Sequence, residues 1–438
     1  MNNSKHLLAL AISAALAAPM AAHATNGMNL EAYGAVAGGM GGASMAYDNG
    51  TAAMMNNPAT LGLAEDGNRI DVAVGRMAPD ITASSPMGSA DSKATSFIMP
   101  AIGWAKKDGK MTYGVGMFSQ GGMGTEYGGD TFLAAGTGRD VMSEVGVGRI
   151  IFPLAYTVND ELVVGGSIDY VWGGMDLRMA IDATTFGNMM LGGLIDTNMT
   201  IPGGWSAARF DFEEGGSMAQ ATKGNGYAGK LGMTYKVNDK LTMGASYHAK
   251  TAMADFKGDA TMAMYSGTAN IMEMSGTMII EDFQMPASMA LGIEFQASEK
   301  MRIVADVKQY LWADAMKNFN MRFETGGQYI AITMPQNWED QTVISLGGEF
   351  QASDKLKVRA GANLSSNPIP DSTMNPMFPA IIENNYTLGV GYDVSGHQAV
   401  DFSLTMAPEV SQTNSAGVMP VTVTHSQMNM QVTYSHKF

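Results

Sequence analysis

Apolar and polar side chains change places at every residue along much of the chain. Leu356, Val358, Ala360, Ala362 and Leu364 fall on one face of an extended backbone, and Lys357, Arg359, Gly361, Asn363 and Ser365 on the other. Just upstream, Ile344, Leu346, Gly348 and Phe350 oppose Ser345, Gly347, Glu349 and Gln351. Period two with one apolar and one polar face predicts strands wetted on one side, a pattern no helix satisfies.

Five decapeptides repeat one grammar: LAYTVNDELV (154–163), LGMTYKVNDK (231–240), LGIEFQASEK (291–300), LGGEFQASDK (346–355) and LGVGYDVSGH (388–397). IGWAKKDGKM (102–111) fits more loosely. Each alternating run ends in a short polar turn. The turns begin at Lys107, Asn159, Asn238, Ser298, Ser353 and Ser395, three residues after Trp104, Tyr156, Tyr235, Phe295, Phe350 and Tyr392. Aromatics at a constant offset from short turns predict the interfacial girdle of a transmembrane barrel. A soluble sandwich would show compact turns at both strand ends, about every 8–12 residues. Here they are widely spaced, with long variable segments between them.

Six such turns join twelve strands. One strand before them (Arg69–Ala78) and one after (Met428–Phe438) make fourteen. The expected fold is all-β, a fourteen-stranded antiparallel transmembrane β-barrel with both ends on the periplasmic side. Closure pairs every backbone polar group, as lipid requires. On the last strand Met428, Met430, Val432, Tyr434 and Phe438 share a face. An alternating strand ending in an aromatic resembles the signal by which barrels engage their assembly machinery, so Phe438 is the expected contact for that partner.

Residues 1–24 read as a signal peptide. Lys5 precedes an apolar run, Leu7 to Ala18, and Ala22-His23-Ala24 supplies a small-x-small cleavage site. The run is too short to span ~30 Å of hydrocarbon. Residues 25–66 are rich in Gly and Ala and do not alternate, which suits a hatch folded inside the lumen. The barrel is expected over 67–438.

Composition narrows the function. The 438 residues carry 15% charged side chains, a net charge of −15, 53 Gly, 40 Met and no Cys. Without cysteine, disulfides, thiolate metal sites and thiol nucleophiles are excluded. The six His show no zinc-site spacing, and no metal or cofactor is expected. Acidity argues against nucleic acid as a partner. Met on lipid-facing strand positions reads as a general replacement for Leu, with an adaptable-site role kept for the external loops.

Several segments resemble the FadL/TodX-like family of outer-membrane long-chain fatty-acid and hydrophobic-compound transporters. They are AGGMGGA, DNGTAA and Asn57-Pro58-Ala59 in the N-terminal segment, MTYGVGMFSQGGMGTEY (111–127), QMPASMALGIEF (284–295), NWEDQTVISLGGEF (337–350) and RAGANLSSNPIPD (359–371). The resemblance implies an outer-membrane location in a Gram-negative bacterium and an N-terminal hatch. It also implies passive uptake of a hydrophobic small molecule, released sideways into the membrane lipid near the third strand. No enzymatic activity is implied, and a monomer is expected.

Three parts would serve that work. Phe186, Met189, Met190, Leu191, Leu194 and Ile195 form an apolar external loop, with Phe132 and Leu133 as weaker additions. They read either as a ligand catch or as a stabilising cover over the barrel mouth. Gly121, Gly122 and Gly124 weaken strand three, where they mark a bulge or the strand's run into a loop. Asn57, Pro58 and Ala59 make a rigid wedge in the hatch, set against that break in the family. Arg178 and Lys317 are the candidates for pairing a ligand carboxylate, or else pair with lumen acids. The ligand stays open between a fatty acid and a neutral hydrocarbon or aromatic. A water-filled general porin, a barrel-borne hydrolase and an adhesin are the rival functions.

Overall fold

The structure, a computed structural model, describes residues 25–213 and 220–438; the expected signal peptide lies outside the described residues. Among them, twenty-two strands make one sheet. The first eight are β1 (Gly67–Ser85), β2 (Gly88–Asp91), β3 (Phe97–Asp108), β4 (Met111–Tyr127), β5 (Val141–Thr157), β6 (Leu162–Asp182), β7 (Ile195–Thr197) and β8 (Ala207–Phe212). Next come β9 (Thr222–Asn238), β10 (Leu241–His248), β11 (Ala252–Met253), β12 (Phe256–Ser266), β13 (Ala269–Glu281), β14 (Ser288–Ser298) and β15 (Met301–Tyr310). The last are β16 (Asn318–Thr325), β17 (Gln328–Pro335), β18 (Gln341–Gln351), β19 (Leu356–Ser365), β20 (Asn384–Ser395), β21 (Gln398–Asn414) and β22 (Val421–Lys437).

Antiparallel pairings close a barrel of sixteen strands. The circuit runs β1, β3, β4, β5, β6, β8, β12, β9, β10, β14, β15, β18, β19, β20, β21, β22 and back to β1. The other strands (β2, β7, β11, β13, β16 and β17) lie outside it. The count of fourteen is thereby corrected. β6 pairs with β9 from Leu162–Tyr235 to Met175–Thr222. Beyond that, from Leu177–Phe212, it pairs with β8, and β12 links β8 back to β9. β8 and β12 lie within the long outer segments and flank none of the short aromatic-marked turns that gave the count.

The short turns and the alternation position everything else. β3–β4, β5–β6, β9–β10, β14–β15, β18–β19 and β20–β21 are the six hairpins. On β9, Leu231, Met233 and Tyr235 point outward, while Lys230 and Thr234 are buried inward. Near the hairpin ends Tyr113, Tyr156, Tyr235, Phe295 and Tyr392 are exposed. Leaving a large apolar side chain in water forgoes roughly 1.5–3 kcal/mol, so a belt of this size is stable only against lipid. The backbones of Asn68 and Phe438 exchange both hydrogen bonds, 2.8 and 2.9 Å, where β1 meets the chain end.

Residues 25–66 pack against the inward faces of the strands. Two 3-10 turns, Gly50–Met54 and Pro58–Leu63, give the segment an apolar seat. There Met54, Met55, Ala59 and Leu61 meet Phe118, Ile151, Ala155 and Val163. The opposite side is polar. The Ser44 amide donates to Asp306 (2.7 Å), the Thr51 amide to Asp71 (2.7 Å), and Lys308 donates to the Gly42 carbonyl (2.7 Å). The Arg302 guanidinium lies 4.4 Å from the Tyr47 ring centre. Gly41 is required where it stands. Its φ is +68°, and a Cβ there would lie 2.4 Å from the Ala362 carbonyl oxygen.

Candidate functional site

The barrel wall is interrupted between β3 and β4. Their ladder runs from Asp108–Met111 to Ala101–Phe118 and stops. Above it, β3 pairs only with β1, as far as Phe97–Met77, and β4 continues paired only with β5. The β4–β5 register shifts between Ser119 and Gly121, leaving Gln120 as a bulge. Such a bulge bends the strand and frees its backbone from the regular ladder. The start of the described chain takes up the freed groups. The Gly122 amide donates to the Met28 carbonyl (3.0 Å) and the Leu30 amide to that of Gln120 (3.3 Å). Gln120 also donates to Asn29 Oδ1 (3.1 Å), and Tyr33 Oη to the Gln120 carbonyl (2.6 Å). Gly121 is needed because a Cβ would lie 2.0 Å from the Met28 carbonyl oxygen. Beside this gap is a cavity of about 90 Å³ lined by Met77, Ile81, Phe97, Met99, Met123 and Val145.

Asn57-Pro58-Ala59 lies elsewhere. Asn57 donates to the carbonyls of Met45 (2.7 Å) and Met233 (3.1 Å). Gly165 on β6 and Gly232 on β9 leave room for it, since a Cβ on either would lie 2.6 Å from the Ala59 nitrogen or 2.0 Å from Asn57 Oδ1. The wedge is thus seated on β6 and β9, and the residues at the β4 bulge are Met28, Asn29 and Leu30.

The outer half of the lumen is filled by one apolar cluster. Loops reach inward to build it, with Trp312 on Trp338 (4.9 Å), Phe256 on Phe283 (5.4 Å) and Phe319 on Phe378 (5.6 Å). Thirteen methionines lie in it, among them Met175, Met262, Met278, Met285, Met321 and Met377. Flexible thioethers adapt to irregular apolar shapes. The reading of Met as background outside the external loops misses this concentration.

The residues of the apolar external loop divide. They lie on an α-helix, Ala183–Leu191, capped by Asp182, on the short β7, and, for Leu194, in the bend between the two. Phe186 is buried edge-on against Trp205 (5.2 Å), and Ile195 is buried too. Met189 and Leu194 are half-buried, whereas Met190 and Leu191 are exposed, Leu191 by 90%. Phe132 and Leu133, half-buried in a 3-10 turn, pack against the chamber cluster. Arg178 is tied to Asp140 (2.6 Å), Glu213 (3.5 Å) and Glu126 (3.9 Å). The Lys317 side chain is exposed.

Below the chamber lies a buried charge cluster that sequence reasoning missed. Asp169 on β6 accepts from Arg149 on β5 (2.8 Å) and from Lys230 on β9, with side-chain exposures of 0%, 3% and 0%. Gln120 accepts from Arg149 Nε (2.6 Å), which ties the cluster to the bulge. A signal existed: each charge interrupts an otherwise apolar alternating run, and so must face the lumen.

Glu31, in the hatch, is buried beside Asn429 (3.2 Å) and Thr405, and burial pushes its carboxyl up to about 7. A carboxyl that binds its proton more tightly when the hatch is seated favours seating at low pH. This advantage is full below ~4.5 and is lost as pH rises toward 7. At ~1.4 kcal/mol per pKa unit, seating weakens by roughly 2 kcal/mol between pH 5 and pH 8. Hydrogen exchange of hatch amides is expected to quicken over that interval, and Glu31→Gln is expected to remove the dependence.

A closed barrel with an outward apolar belt, a seated N-terminal segment and an apolar outer chamber is a plugged outer-membrane channel. The family model described as outer membrane protein transport protein (OMPP1/FadL/TodX) matches residues 11–438, and the chain belongs to this family, whose members are transport proteins and not enzymes. The Pseudomonas putida toluene transporter TodX is similar at 28% identity and a TM-score of 0.84, over 93% of this chain and 99% of that one. The Ralstonia pickettii toluene transporter TbuX is similar at 31% identity and a TM-score of 0.79, over 94% and 99%. The CymD monoaromatic hydrocarbon channel is similar at 26% identity and a TM-score of 0.75, over 94% and 99%. An uncharacterized Chlorobium limicola protein from the 5′ region of a phosphoenolpyruvate carboxykinase gene is 53% identical over 62 residues, 14% of this chain and 30% of that protein's length.

Proposed function

We propose that the protein carries neutral hydrophobic small molecules, monoaromatic hydrocarbons among them, across the lipopolysaccharide layer and releases them sideways through the β3–β4 gap. What carries the reading is the interrupted ladder, with an apolar cavity beside it and the start of the hatch, Met28 to Leu30, bonded into it. The ligand is caught by the exposed Met190 and Leu191 and passes through the methionine-rich chamber. It leaves by the cavity lined by Met99 and Met123. The similar structures, two toluene transporters and a monoaromatic hydrocarbon channel at 26–31% identity, support a neutral ligand over a fatty acid. So do the ion pairs that occupy Arg178.

Cells making the protein are expected to take up radiolabelled toluene faster than cells lacking it. Purified protein in planar bilayers is expected to pass no steady current; a large constant conductance would favour the water-filled porin instead. Leu191→Asp is expected to lower uptake severalfold at low toluene concentration. It leaves thermal stability within about 0.5 kcal/mol, as for an exposed surface position. Unchanged uptake would remove Leu191 from the catch.

A further inference from the structure

The chain has 40 Met and no Cys, so thioether sulfur is its only sulfur ligand. Four thioethers meet on one face of the β12–β13 hairpin. Met262 lies opposite Met274, and Met264 opposite Met272. Residues two apart on a strand share a face, so the four make a square. Directly opposed Cβ atoms stand ~4.5–5.5 Å apart, and each thioether swings on three rotatable bonds. The four sulfurs can therefore converge on one point. Among the described strand pairings, methionine faces methionine at one other place, Met406–Met428, and that pair stands alone. A general replacement of Leu by Met would scatter such pairs along the barrel.

The square is closed on one side and open on the other. Met262 and Met264 are fully buried, with Phe210 and Ala208 of β8 beside them in the sheet. Met272 and Met274 are half-buried. β16 pairs with β13 only from Thr277 to Glu281, so no strand covers their flank. Glu273 alternates to the opposite face, where it accepts from Asn270 (2.6 Å). Phe210, Ala208 and Ala260, the neighbours on the square's own face, bring no carboxylate or imidazole. Soft thioether sulfur selects copper(I)-like ions, whereas magnesium, calcium and manganese prefer oxygen. Thioethers are also neutral and offset none of an ion's charge, so a single charge is held at far lower desolvation cost than a double one.

We propose that Met262, Met264, Met272 and Met274 bind one soft monovalent metal ion, copper(I) or silver(I), at the outer edge of the chamber. The site is independent of the hydrocarbon's route. Among the described residues, no group of His, Asp and Glu is arranged to hold a metal ion, so no such site competes for it.

The test titrates the purified barrel in detergent with silver nitrate in chloride-free buffer, followed by calorimetry. The wild type is expected to bind one ion per chain. Met272→Leu/Met274→Leu conserves volume and changes only the half-buried members, so the fold is kept. It is expected to weaken binding by at least about tenfold, the scale on which metal sites respond to lost partners. Met406→Leu/Met428→Leu removes as many sulfurs and is expected to bind like the wild type. Thioethers carry no proton, so affinity is expected to be the same near pH 5 as at neutral pH, where imidazole ligands would protonate and let the ion go. No stoichiometric binding by the wild type, equal losses in the two variants, or binding that disappears near pH 5 would overturn the assignment. Displacement of the silver by excess calcium would do the same, since it would give the ion oxygen neighbours.

Discussion

Asp169→Ala is expected to destabilise the barrel by about 3–5 kcal/mol, because it strips the partner from two buried cations at once. Arg149 and Lys230 both point at this carboxylate, and Ser167 donates to its other oxygen (2.6 Å). No water-exposed route lets either cation relax, since their side chains are 3% and 0% exposed. Thermal unfolding in detergent, read as loss of the compact form on a gel, measures the effect. Lys230→Met is expected to cost far less. It leaves the Arg149–Asp169 pair intact and removes the surplus buried charge. If the two substitutions are equally damaging, the carboxylate is not the centre of the cluster. Because Arg149 also holds Gln120, Asp169→Ala should loosen the β4 bulge as well.

Gly121→Val is expected to drive the start of the hatch out of the wall. No side chain fits where a Cβ must lie 2.0 Å from the Met28 carbonyl oxygen, and backbone cannot yield as a flexible side chain does. The bonds from Gly122 to Met28 and from Leu30 to Gln120 are then lost. Two backbone hydrogen bonds are together worth about 1–3 kcal/mol. Exchange of the Leu30 and Gly122 amides should therefore quicken by one to two orders of magnitude. Amides at Ala59 and Thr60 should stay protected, because Asn57 is bonded to Met233 on β9 and to Met45 within the hatch, away from the bulge. Uniform loss of protection across the hatch would mean that it moves as one body and that the bulge contact is no separate latch.

What the sequence made legible follows from which constraints are local. Alternation and short turns are set by neighbouring residues, so all six hairpins could be read from Trp104 to Tyr392. β8 and β12 could not, because their pairing joins segments far apart in the chain and no tight turn advertises them. That is why the circuit has sixteen strands and not fourteen. The same division runs through the site. The glycines after Ser119 marked an irregular stretch of β4 on local grounds. Which hatch residues bond there depends on the whole lumen, and Met28, Asn29 and Leu30 carry no pattern that distinguishes them from the rest of the hatch. The loop residues Phe186 and Leu191 share one helix, yet one is buried against Trp205 and the other is bare. Arg149, Asp169 and Lys230 were visible as charges inside apolar runs, but only the fold brings them to a common point.

The claim that matters most is the sideways exit, and blocking it is the direct test. In Met99→Trp/Met123→Trp the wall cavity is filled from both strands, while the Leu191 helix is untouched. The measurement is uptake of radiolabelled toluene by cells making this variant, with a gel check that the barrel is folded. Uptake falling to the level of cells without the protein is the predicted result. Uptake equal to wild type would contradict the account, since the ligand would then be passing the hatch to the periplasm.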